Sequence, residues 1–372
     1  MNNILVTRSS MPPLSEYVDE ISSLWDSHWL TNTGEKHRLF EKMLKEKLGV
    51  DNLALFVNGH NALECIIEAM GLKGEVITTP FTFASTVHAI SRKGLIPVFA
   101  DIKYDDFTLD PKSIEEKITS RTCAIIPVHV YGNLCDIDAI KEIAEKHGLK
   151  VIYDAAHAFG VARNGVSAAC FGDASMFSFH ATKVFNTVEG GAVSFKDENL
   201  YPLINQWKNF GIVNPESVEY IGGNAKMNEL CAAMGICNLR HLDDEISKRK
   251  KAAERYWERL NNIDGLKIVV PANKAEHNYA YMPVLFDPEL FGASRDEVFA
   301  SLGKEGIGAR KYFYPLVNDY SCYRSVYSSL ETPVASLVAS QVLTLPLYAD
   351  LSIEDVDRIC DVVLSAGRGK TR

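Results

Sequence analysis

The residues with the clearest chemical potential are a lysine and an aspartate that each follow an apolar stretch of strand length. Lys183 lies in a polar turn between the apolar stretches 174–179 and 192–195, and the glycine pair 190–191 comes before the second of them. Asp154 ends another apolar run, KVIYD. Short apolar runs bounded by turn residues are typical of buried strands. We therefore expect both side chains at neighbouring strand ends, where open α/β sheets bind ligands.

A lysine and an aspartate in this arrangement fit the chemistry of pyridoxal phosphate (PLP). The ε-amine of Lys183 can form a Schiff base with the aldehyde, and the carboxylate of Asp154 can pair with the protonated pyridine nitrogen. A protonated ring of this kind stabilises negative charge on the carbon next to the imine. The alternative is a plain ion pair between two strands, which the spacing of the two residues does not exclude.

The elements that must position these residues alternate along the chain. Apolar runs predict strands, and helical spacing of apolar residues predicts helices between them. The predicted strands are 53–57, 75–83 (a strand and then a turn), 96–100 and 122–132, and the predicted helices are 62–70, 113–118 and 137–147. This βαβ rhythm predicts an α/β fold with a mostly parallel sheet that is covered by helices on both faces.

A glycine turn, Asn58-Gly59-His60-Asn61, joins the first predicted strand to the first of these helices. Such a turn presents free backbone N–H groups and the positive end of the helix dipole, which together suit a phosphate. Many strand-to-helix turns look alike, so this motif alone is weak.

Composition limits the function classes that the chain can belong to. Its 372 residues predict about two domains, and 47% apolar with 23% charged residues are ordinary values for a globular protein. The net charge is −9 and no long basic run occurs, which argues against nucleic acid as a partner. A small negatively charged ligand is not excluded, because a local pocket can be basic on an acidic protein.

The cysteines and the N-terminus favour a cytoplasmic protein. The eight cysteines are scattered, with neither a C-x-x-C pair nor metal-ligand spacing, so reduced core thiols are expected. The N-terminus, MNNILVTRSSMPP, lacks the long apolar segment of a signal peptide. No stretch approaches the roughly 18 apolar residues of a membrane span.

Three motifs, FSFHATK followed by EGG, VIYDAAHAFG and NGHNALE, resemble those of the DegT/StrS-type sugar-nucleotide aminotransferases. The resemblance covers nearly the whole chain and keeps the order and spacing of the motifs. It implies PLP as cofactor and an aspartate-aminotransferase-like fold of type I. That fold has a large PLP-binding domain, here residues 1–240, and a smaller C-terminal α+β domain, here residues 241–372 with a linking helix. Within the family, the chain is most similar to viosamine-type enzymes, which aminate C4 of a dTDP-4-keto-6-deoxyhexose.

The resemblance also implies how individual residues contact the cofactor. Lys183 and Asp154 are the catalytic pair, and His157 hydrogen-bonds the phenolic oxygen of the ring. Phe83 stacks on the pyridine ring, although an ordinary core phenylalanine is the alternative. The phosphate is bound by the following residues: Ser178, Gly59, His60 and Asn61. Because His60-Asn61 stands where the family commonly has hydroxyl residues, the backbone contacts carry over better than the side-chain contacts.

Two further residues are implied more remotely. Asn224 matches the family's asparagine that reaches the cofactor phosphate of the partner subunit, which would make the protein a homodimer with shared active sites. An asparagine before a helix is the alternative, since helix starts favour it. Tyr314, in the aromatic run KYFYPL, is a candidate substrate contact.

The reaction that follows from the resemblance is transfer of an amino group from glutamate to a dTDP-keto-sugar, for surface polysaccharide (O-antigen) or related amino-sugar synthesis. Amination at C3 or of another sugar nucleotide stays open. Some relatives are dehydratases in which a histidine replaces the lysine, but Lys183 holds that position here, and His180 lies three residues earlier. A non-catalytic binding protein is a further alternative. No G-x-G-x-x-G follows a strand, so an NAD enzyme is poorly supported. No arginine stands out as the group that binds the donor carboxylate.

Overall fold

The computed structural model describes residues 3–271 and 275–368. Its strands, in chain order, are β1 (Leu53–Phe56), β2 (Glu75–Thr78), β3 (Ile96–Phe99), β4 (Thr122–Ile125), β5 (Lys150–Asp154), β6 (Ala162–Arg163), β7 (Val166–Ser167), β8 (Ala174–Ser178), β9 (Gly191–Phe195), β10 (Ile212–Asn214), β11 (Ser217–Val218), β12 (Leu266–Ile268), β13 (Ala275–Glu276), β14 (Met282–Phe286) and β15 (Val342–Leu345).

The α-helices are distributed along the whole described chain. They are α1 (Leu14–Ser27), α2 (Glu35–Leu48), α3 (Gly59–Ala69), α4 (Ala84–Arg92), α5 (Pro111–Lys117), α6 (Ile137–His147), α7 (Leu200–Trp207), α8 (Glu229–Leu260), α9 (Pro288–Phe291), α10 (Arg295–Lys304), α11 (Pro333–Gln341) and α12 (Ile353–Arg368). No helix in these described ranges is long and apolar enough to cross a membrane.

The central sheet has the strand order β1-β9-β8-β5-β4-β2-β3. All neighbours in it pair in parallel except those of β9, which runs antiparallel to both β1 and β8. The predicted α/β fold with a mostly parallel sheet is therefore confirmed. Strands β5 and β8 are direct neighbours in which Asp154 pairs with Met176. This register brings Asp154 and the residues after β8 to the same edge of the sheet, as the sequence predicts.

The sheet is buried because its strands and the covering helices present apolar side chains to each other. All four residues of β1 are buried, and α3 contributes Leu63, Ile66 and Ile67 to one core cluster. On the other face, Phe40 and Leu44 of α2 pack into a second cluster. Burying an apolar side chain of this size stabilises a fold by about 1.5–3 kcal/mol. The two clusters therefore fix the orientation of the strands whose ends form the site.

The C-terminal part has a smaller antiparallel sheet of order β12-β14-β15. Helices α10 and α12 pack against it, with Val298 and Val356 fully buried in the shared core cluster. The smaller α+β part that the sequence predicts is thus present. Some boundaries differ from the prediction, since the helix after β1 already begins at Gly59 and the strand predicted at 122–132 ends at Ile125.

Helix α8 runs without a break through residue 240, the predicted end of the large domain. The N-terminal segment crosses to the other part, where Ile4 forms a parallel bridge with Ile307 and joins the C-terminal core cluster. The predicted division into residues 1–240 and 241–372 therefore cuts one continuous helix. We propose that α8 belongs to both parts and connects them rigidly.

Candidate active site

A cavity of about 300 Å³ lies at the carboxyl ends of β5 and β8. It is lined by most of the site residues that the sequence predicts, namely Gly59, His60, Phe83, Asp154, His157, Ser178 and Lys183. A larger cavity of about 570 Å³ surrounds the start of β5 and includes none of these residues. The predicted chemistry and the smaller cavity therefore coincide at the ligand-binding edge of the sheet.

Asp154 is the last residue of β5, and its carboxylate is buried. One oxygen accepts a hydrogen bond from the Thr86 hydroxyl at 2.7 Å, and the other accepts the backbone N–H of Ala156 at 3.1 Å. The Thr86 hydroxyl is itself bonded to the Thr82 hydroxyl at 2.8 Å. Burial raises the pKa of Asp154, and the hydrogen bonds and the charge of Lys183 oppose that rise. The site thus holds a carboxylate that two hydrogen bonds fix in place.

Lys183 occupies the turn between β8 and β9. Its backbone N–H donates to the carbonyl of His180 at 2.9 Å, and its Nζ lies 6.0 Å from the centroid of the Tyr281 ring. Its charge acts on both Asp154 and His157, so the three groups share one electrostatic environment. Lys183 and Asp154 therefore line the same cavity, at the edge of the sheet where the sequence places them.

His157 is buried and lies between aromatic rings. Its ring is parallel to that of Phe313 at a centroid distance of 6.0 Å. Its Nδ1 accepts the backbone N–H of Tyr131 at 3.1 Å. Burial, and then the charge of Lys183, hold the pKa of His157 well below its ordinary value. A neutral imidazole whose Nδ1 accepts must carry its proton on Nε2, so His157 can donate a hydrogen bond from that atom.

The glycine turn at residues 58–61, which the sequence predicts to bind a phosphate, is formed by close contacts between three chain segments. The Asn58 side chain caps α3 by accepting the backbone N–H of Asn61 at 2.8 Å. A Cβ on Gly59 would lie 3.0 Å from the Ser178 Cβ, and a Cβ on Gly191 would lie 2.6 Å from the Gly59 nitrogen. The glycines are therefore needed for β8 and β9 to pass this close to the start of α3.

The three residues that follow Asn58 do not contribute equally to the turn. Gly59 and His60 line the cavity, and their N–H groups belong to the first helical turn, which has no intrahelical acceptors. The N–H of Asn61 is already taken by Asn58, and Asn61 lies outside the cavity lining. The predicted phosphate contact of Asn61 thus has neither a free amide nor a side chain at the cavity to support it.

The His60 ring is held from both sides. Its Nδ1 lies 2.9 Å from the Ser85 hydroxyl, and its Nε2 lies 3.3 Å from a carboxylate oxygen of Glu64. Glu64 is buried and also bonded to Arg92 at 2.5 Å. These contacts fix the imidazole at the start of α3.

The other predicted residues differ in their position. Phe83 precedes α4 and is 55% exposed, which argues against the core role that was its alternative. Asn224 is exposed and accepts a hydrogen bond from Lys226 at 3.0 Å, outside the cavity of its own chain. The Tyr314 ring stacks against Arg295 instead of facing the cavity, and Tyr312 lines the cavity in its place.

These groups fit PLP. A half-exposed aromatic ring, a buried carboxylate and a lysine surround one cavity, and a glycine turn at a helix start adjoins a serine hydroxyl. The carboxylate suits a pyridinium, the lysine suits an aldehyde, and the turn suits a phosphate. The cavity also presents the donor Nε2–H of His157 to any ring bound there.

Sequence reasoning missed several residues of the site. Thr82 and Thr86 are four apart around the start of α4, a spacing that could have marked them as a pair. Arg310 and Tyr312 line the cavity from the C-terminal part. The aromatic run KYFYPL pointed to this loop, but its pattern did not tell which side chains turn inward.

Comparison with known proteins agrees with this geometry. A sequence model of the DegT/DnrJ/EryC1/StrS aminotransferase family matches residues 14–364. The chain is 43% identical over 360 residues to a dTDP-4-amino-4,6-dideoxy-D-glucose transaminase of Shigella dysenteriae, covering 97% of this chain and 98% of that protein. It is 40% identical over 366 residues to a protein of the same description from Escherichia coli, with the same coverages.

A solved structure gives the same result for the fold. The chain matches DesI, determined in the presence of its TDP-sugar product, with a TM-score of 0.94 and 35% identity. The match covers all of this chain and 94% of DesI. The aspartate-aminotransferase-like fold implied by the sequence motifs is therefore supported along the whole chain.

Proposed function

The chain belongs to the DegT/DnrJ/EryC1/StrS aminotransferase family of PLP-dependent enzymes, and we propose that it aminates C4 of dTDP-4-keto-6-deoxyglucose with glutamate as donor. The nucleotide sugar and the position are supported by the two relatives at 43% and 40% identity, whose descriptions name a 4-amino-4,6-dideoxyglucose. The likeness to DesI, a protein with a TDP-sugar product, supports the same class of acceptor. The observation that carries the proposal is the convergence of Lys183, Asp154 and His157 on one cavity.

PLP bound in this cavity would supply an electron-accepting ring next to the substrate carbon that gains or loses a proton. We assign to Lys183 the covalent attachment to the cofactor and, once the amine is freed, movement of the proton at that carbon. The buried Asp154 would keep the ring nitrogen protonated, since Thr86 and Ala156 hold its carboxylate in place. His157 would donate its Nε2–H to the phenolic oxygen.

The cofactor phosphate would be bound at the start of α3. We assign to it the N–H groups of Gly59 and His60 and the hydroxyl of Ser178, all of which adjoin the cavity. Phe83 would cover one face of the cofactor ring, which is consistent with the exposure of its side chain in the single chain without cofactor. This arrangement leaves the lysine side of the cavity open to the donor and acceptor.

We further propose that the protein is a homodimer with shared active sites. The hairpin of β10 and β11 and the residues after it expose apolar side chains, including Val218 and the 99% exposed Ile221. A cluster of exposed apolar groups on a hairpin is unfavourable in water, and a second copy would cover it. Asn224 follows this hairpin directly, so it would reach the cofactor phosphate of the partner subunit, with Lys226 beside it.

The product is a nucleotide-activated amino sugar, and we propose that it is used for a surface polysaccharide such as O antigen. A cytoplasmic location is consistent with this role and with eight cysteines that form no disulfide in the structure, all of them in the described ranges.

A product assay with defined substrates tests the proposal. The PLP-loaded enzyme is incubated with glutamate and a panel of 3-keto and 4-keto dTDP, UDP and GDP sugars, and the products are identified by mass and NMR. We expect amination at C4 of the dTDP-4-keto-6-deoxy sugar, and none by the Lys183→Ala variant. Preference for a 3-keto sugar or another nucleotide would overturn the assignment of the substrate. Loss of water from the sugar without uptake of nitrogen would overturn transamination itself.

A further inference from the structure

We propose that Arg310 binds the α-carboxylate of the amino donor. The inference rests on the proposed function, because it requires an amino acid as donor. It answers a question that the sequence leaves open, namely which cation recognises the carboxylate of that donor.

Arg310 is a cation of the cavity for which the described part of the chain provides no carboxylate partner. It lines the cavity together with Lys183 and His157. Within residues 3–271 and 275–368, no carboxylate forms an ion pair with its guanidinium, whereas the adjacent Lys311 is 2.6 Å from Asp296. An arginine is always charged at physiological pH, so an unpaired one beside a reaction centre is suited to an anionic ligand.

The position of Arg310 is fixed by its backbone and by a neighbouring ring. Its N–H donates to the Thr344 carbonyl at 3.1 Å and its carbonyl accepts the Thr344 N–H at 2.8 Å, which ties it to β15. The Thr344 hydroxyl adds a bond to the same carbonyl at 3.0 Å. The guanidinium Cζ lies 5.5 Å from the centroid of the Tyr312 ring. Contact with a ring face orients a guanidinium and leaves its N–H donors available.

A small cavity of about 20 Å³ continues from this position and is lined by Arg310, Tyr281 and Thr182. Thr182 precedes Lys183 in the chain, and the Lys183 amine lies 6.0 Å from the centroid of the Tyr281 ring. Arg310 thus lies between the lysine turn and the C-terminal sheet. Two carboxylate side chains also line the main cavity. Asp154 is bonded to Thr86 and to the Ala156 N–H, and Glu189 is 3.6 Å from Nε2 of His180.

The chemistry of the two substrates indicates which anion Arg310 binds. The donor α-carboxylate is attached to the carbon whose proton Lys183 moves, so its binding group must lie in the Lys183 cavity. The diphosphate of the acceptor is attached at C1 of the sugar, across the ring from C4, and must lie farther from that lysine. A guanidinium binds a carboxylate through two parallel hydrogen bonds, which also orients the Cα–H bond.

The test compares two ligands that differ only in the α-carboxylate. Glutamate and 4-aminobutyrate are titrated into PLP-loaded wild type, Arg310→Gln and Arg310→Lys, and the dissociation constants are read from the absorption spectrum. We expect Arg310→Gln to bind glutamate about 30-fold or more weakly, the order for loss of one partner of a desolvated ion pair. This variant should no longer distinguish glutamate from 4-aminobutyrate, and Arg310→Lys should recover part of the difference.

Two controls separate the possible failures. Equilibrium dialysis should give the same PLP affinity for Arg310→Gln as for wild type. In the variant loaded with pyridoxamine phosphate, the rate of the sugar half-reaction should fall by a much smaller factor than the glutamate affinity does. Equal losses for glutamate and 4-aminobutyrate, or a sugar half-reaction that falls by as large a factor as the glutamate affinity, would overturn the role of Arg310. If wild type itself does not react with glutamate but does with another amino acid, the proposed donor is wrong, and the comparison is repeated with that amino acid and its decarboxylated analogue.

Discussion

At the scale of single residues, Asp154 is the side chain whose buried charge is best explained by a bound cationic ligand. Burial raises the pKa of Asp154, so the folded protein without cofactor binds this proton more tightly than the unfolded chain does. The stabilising contribution is complete below the ordinary pKa of the carboxyl and is lost as the pH rises through the raised value. Above that value the buried charge costs free energy, which a bound pyridinium would offset.

We therefore predict that Asp154→Asn without cofactor is more stable than wild type at pH 8, by on the order of a few degrees in Tm. The difference should shrink towards pH 5, because with a raised pKa the wild-type carboxyl becomes more protonated as the pH falls. With PLP bound the order should reverse, since the variant lacks the charge that pairs with the ring. Thermal melts of both proteins at the two pH values check this. A lower Tm of the variant without cofactor, equal at both pH values, would contradict it.

The sequence predicted which chemical groups belong to the site better than it predicted which side chains face the cavity. Lys183 and Asp154 could be predicted because strand ends converge at one edge of a parallel sheet. His157 was implied by the family resemblance of the motif VIYDAAHAFG. Asn61 and Tyr314 could not be resolved in the same way. Neighbours in a helical turn point about 100° apart, and the inward residue of an irregular loop such as KYFYPL depends on packing across the chain. Arg310 was missed for the same reason, since pairing with Thr344 in a distant strand determines its position.

At the scale of elements, the site depends on how closely β9 approaches the start of α3. Gly191 opens β9, and a Cβ there would lie 2.6 Å from backbone atoms of Asn58 and Gly59. Strand β9 is paired on both sides, so its backbone cannot move aside easily and the turn at Asn58 and Gly59 would shift instead. Gly191 thus has a packing reason in this fold.

We predict that Gly191→Ala destabilises the protein by about 1–3 kcal/mol, the usual cost of overpacking, and weakens PLP binding. Gly303, in the last turn of α10, is the matched control because no atom lies within 4 Å of its added Cβ. Gly303→Ala should be neutral or stabilising by up to about 1 kcal/mol. Urea unfolding and PLP titration of both variants test the contrast, and equal behaviour of the two variants would refute it.

The strands and helices around the sheet were predictable because their apolar periodicity is strong. The extent of α8 was not, since the sequence placed a domain boundary at residue 240 inside this 32-residue helix. A change from an apolar to a charged helix surface looks like a boundary in the sequence. In the fold it reflects the passage of one helix from the core cluster around the central sheet to that of the C-terminal part.

At the scale of the whole molecule, the proposed shared active site can be tested by complementation between two inactive variants. Lys183→Ala and Asn224→Ala are each expected to be nearly inactive as homodimers. In a mixed dimer, one site would combine the intact Lys183 of one subunit with the intact Asn224 of the other. Mixing the two variants after mild dissociation should therefore restore about a quarter of wild-type activity, since half of randomly formed dimers would hold one intact site.

The control for this mixture is a pair of variants in residues of the same cavity wall, Lys183→Ala and Asp154→Ala. Their mixed dimer would have no intact site, because both residues act within one chain, and it should stay inactive. Restored activity in the control, or none in the test mixture, would contradict the role of Asn224 across the interface. Sedimentation of the unmixed proteins gives the oligomeric state independently.

The central claim is that Lys183 is the cofactor lysine of an aminotransferase, and the visible absorption spectrum tests it most directly. Purified protein is loaded with PLP, and the spectrum is taken before and after adding glutamate, with Lys183→Ala beside it. We predict a Schiff-base band in wild type that disappears on adding glutamate and the absence of that protein-bound band in the variant. A wild-type protein without the band, or a variant with the same band and the same response to glutamate, would contradict the claim.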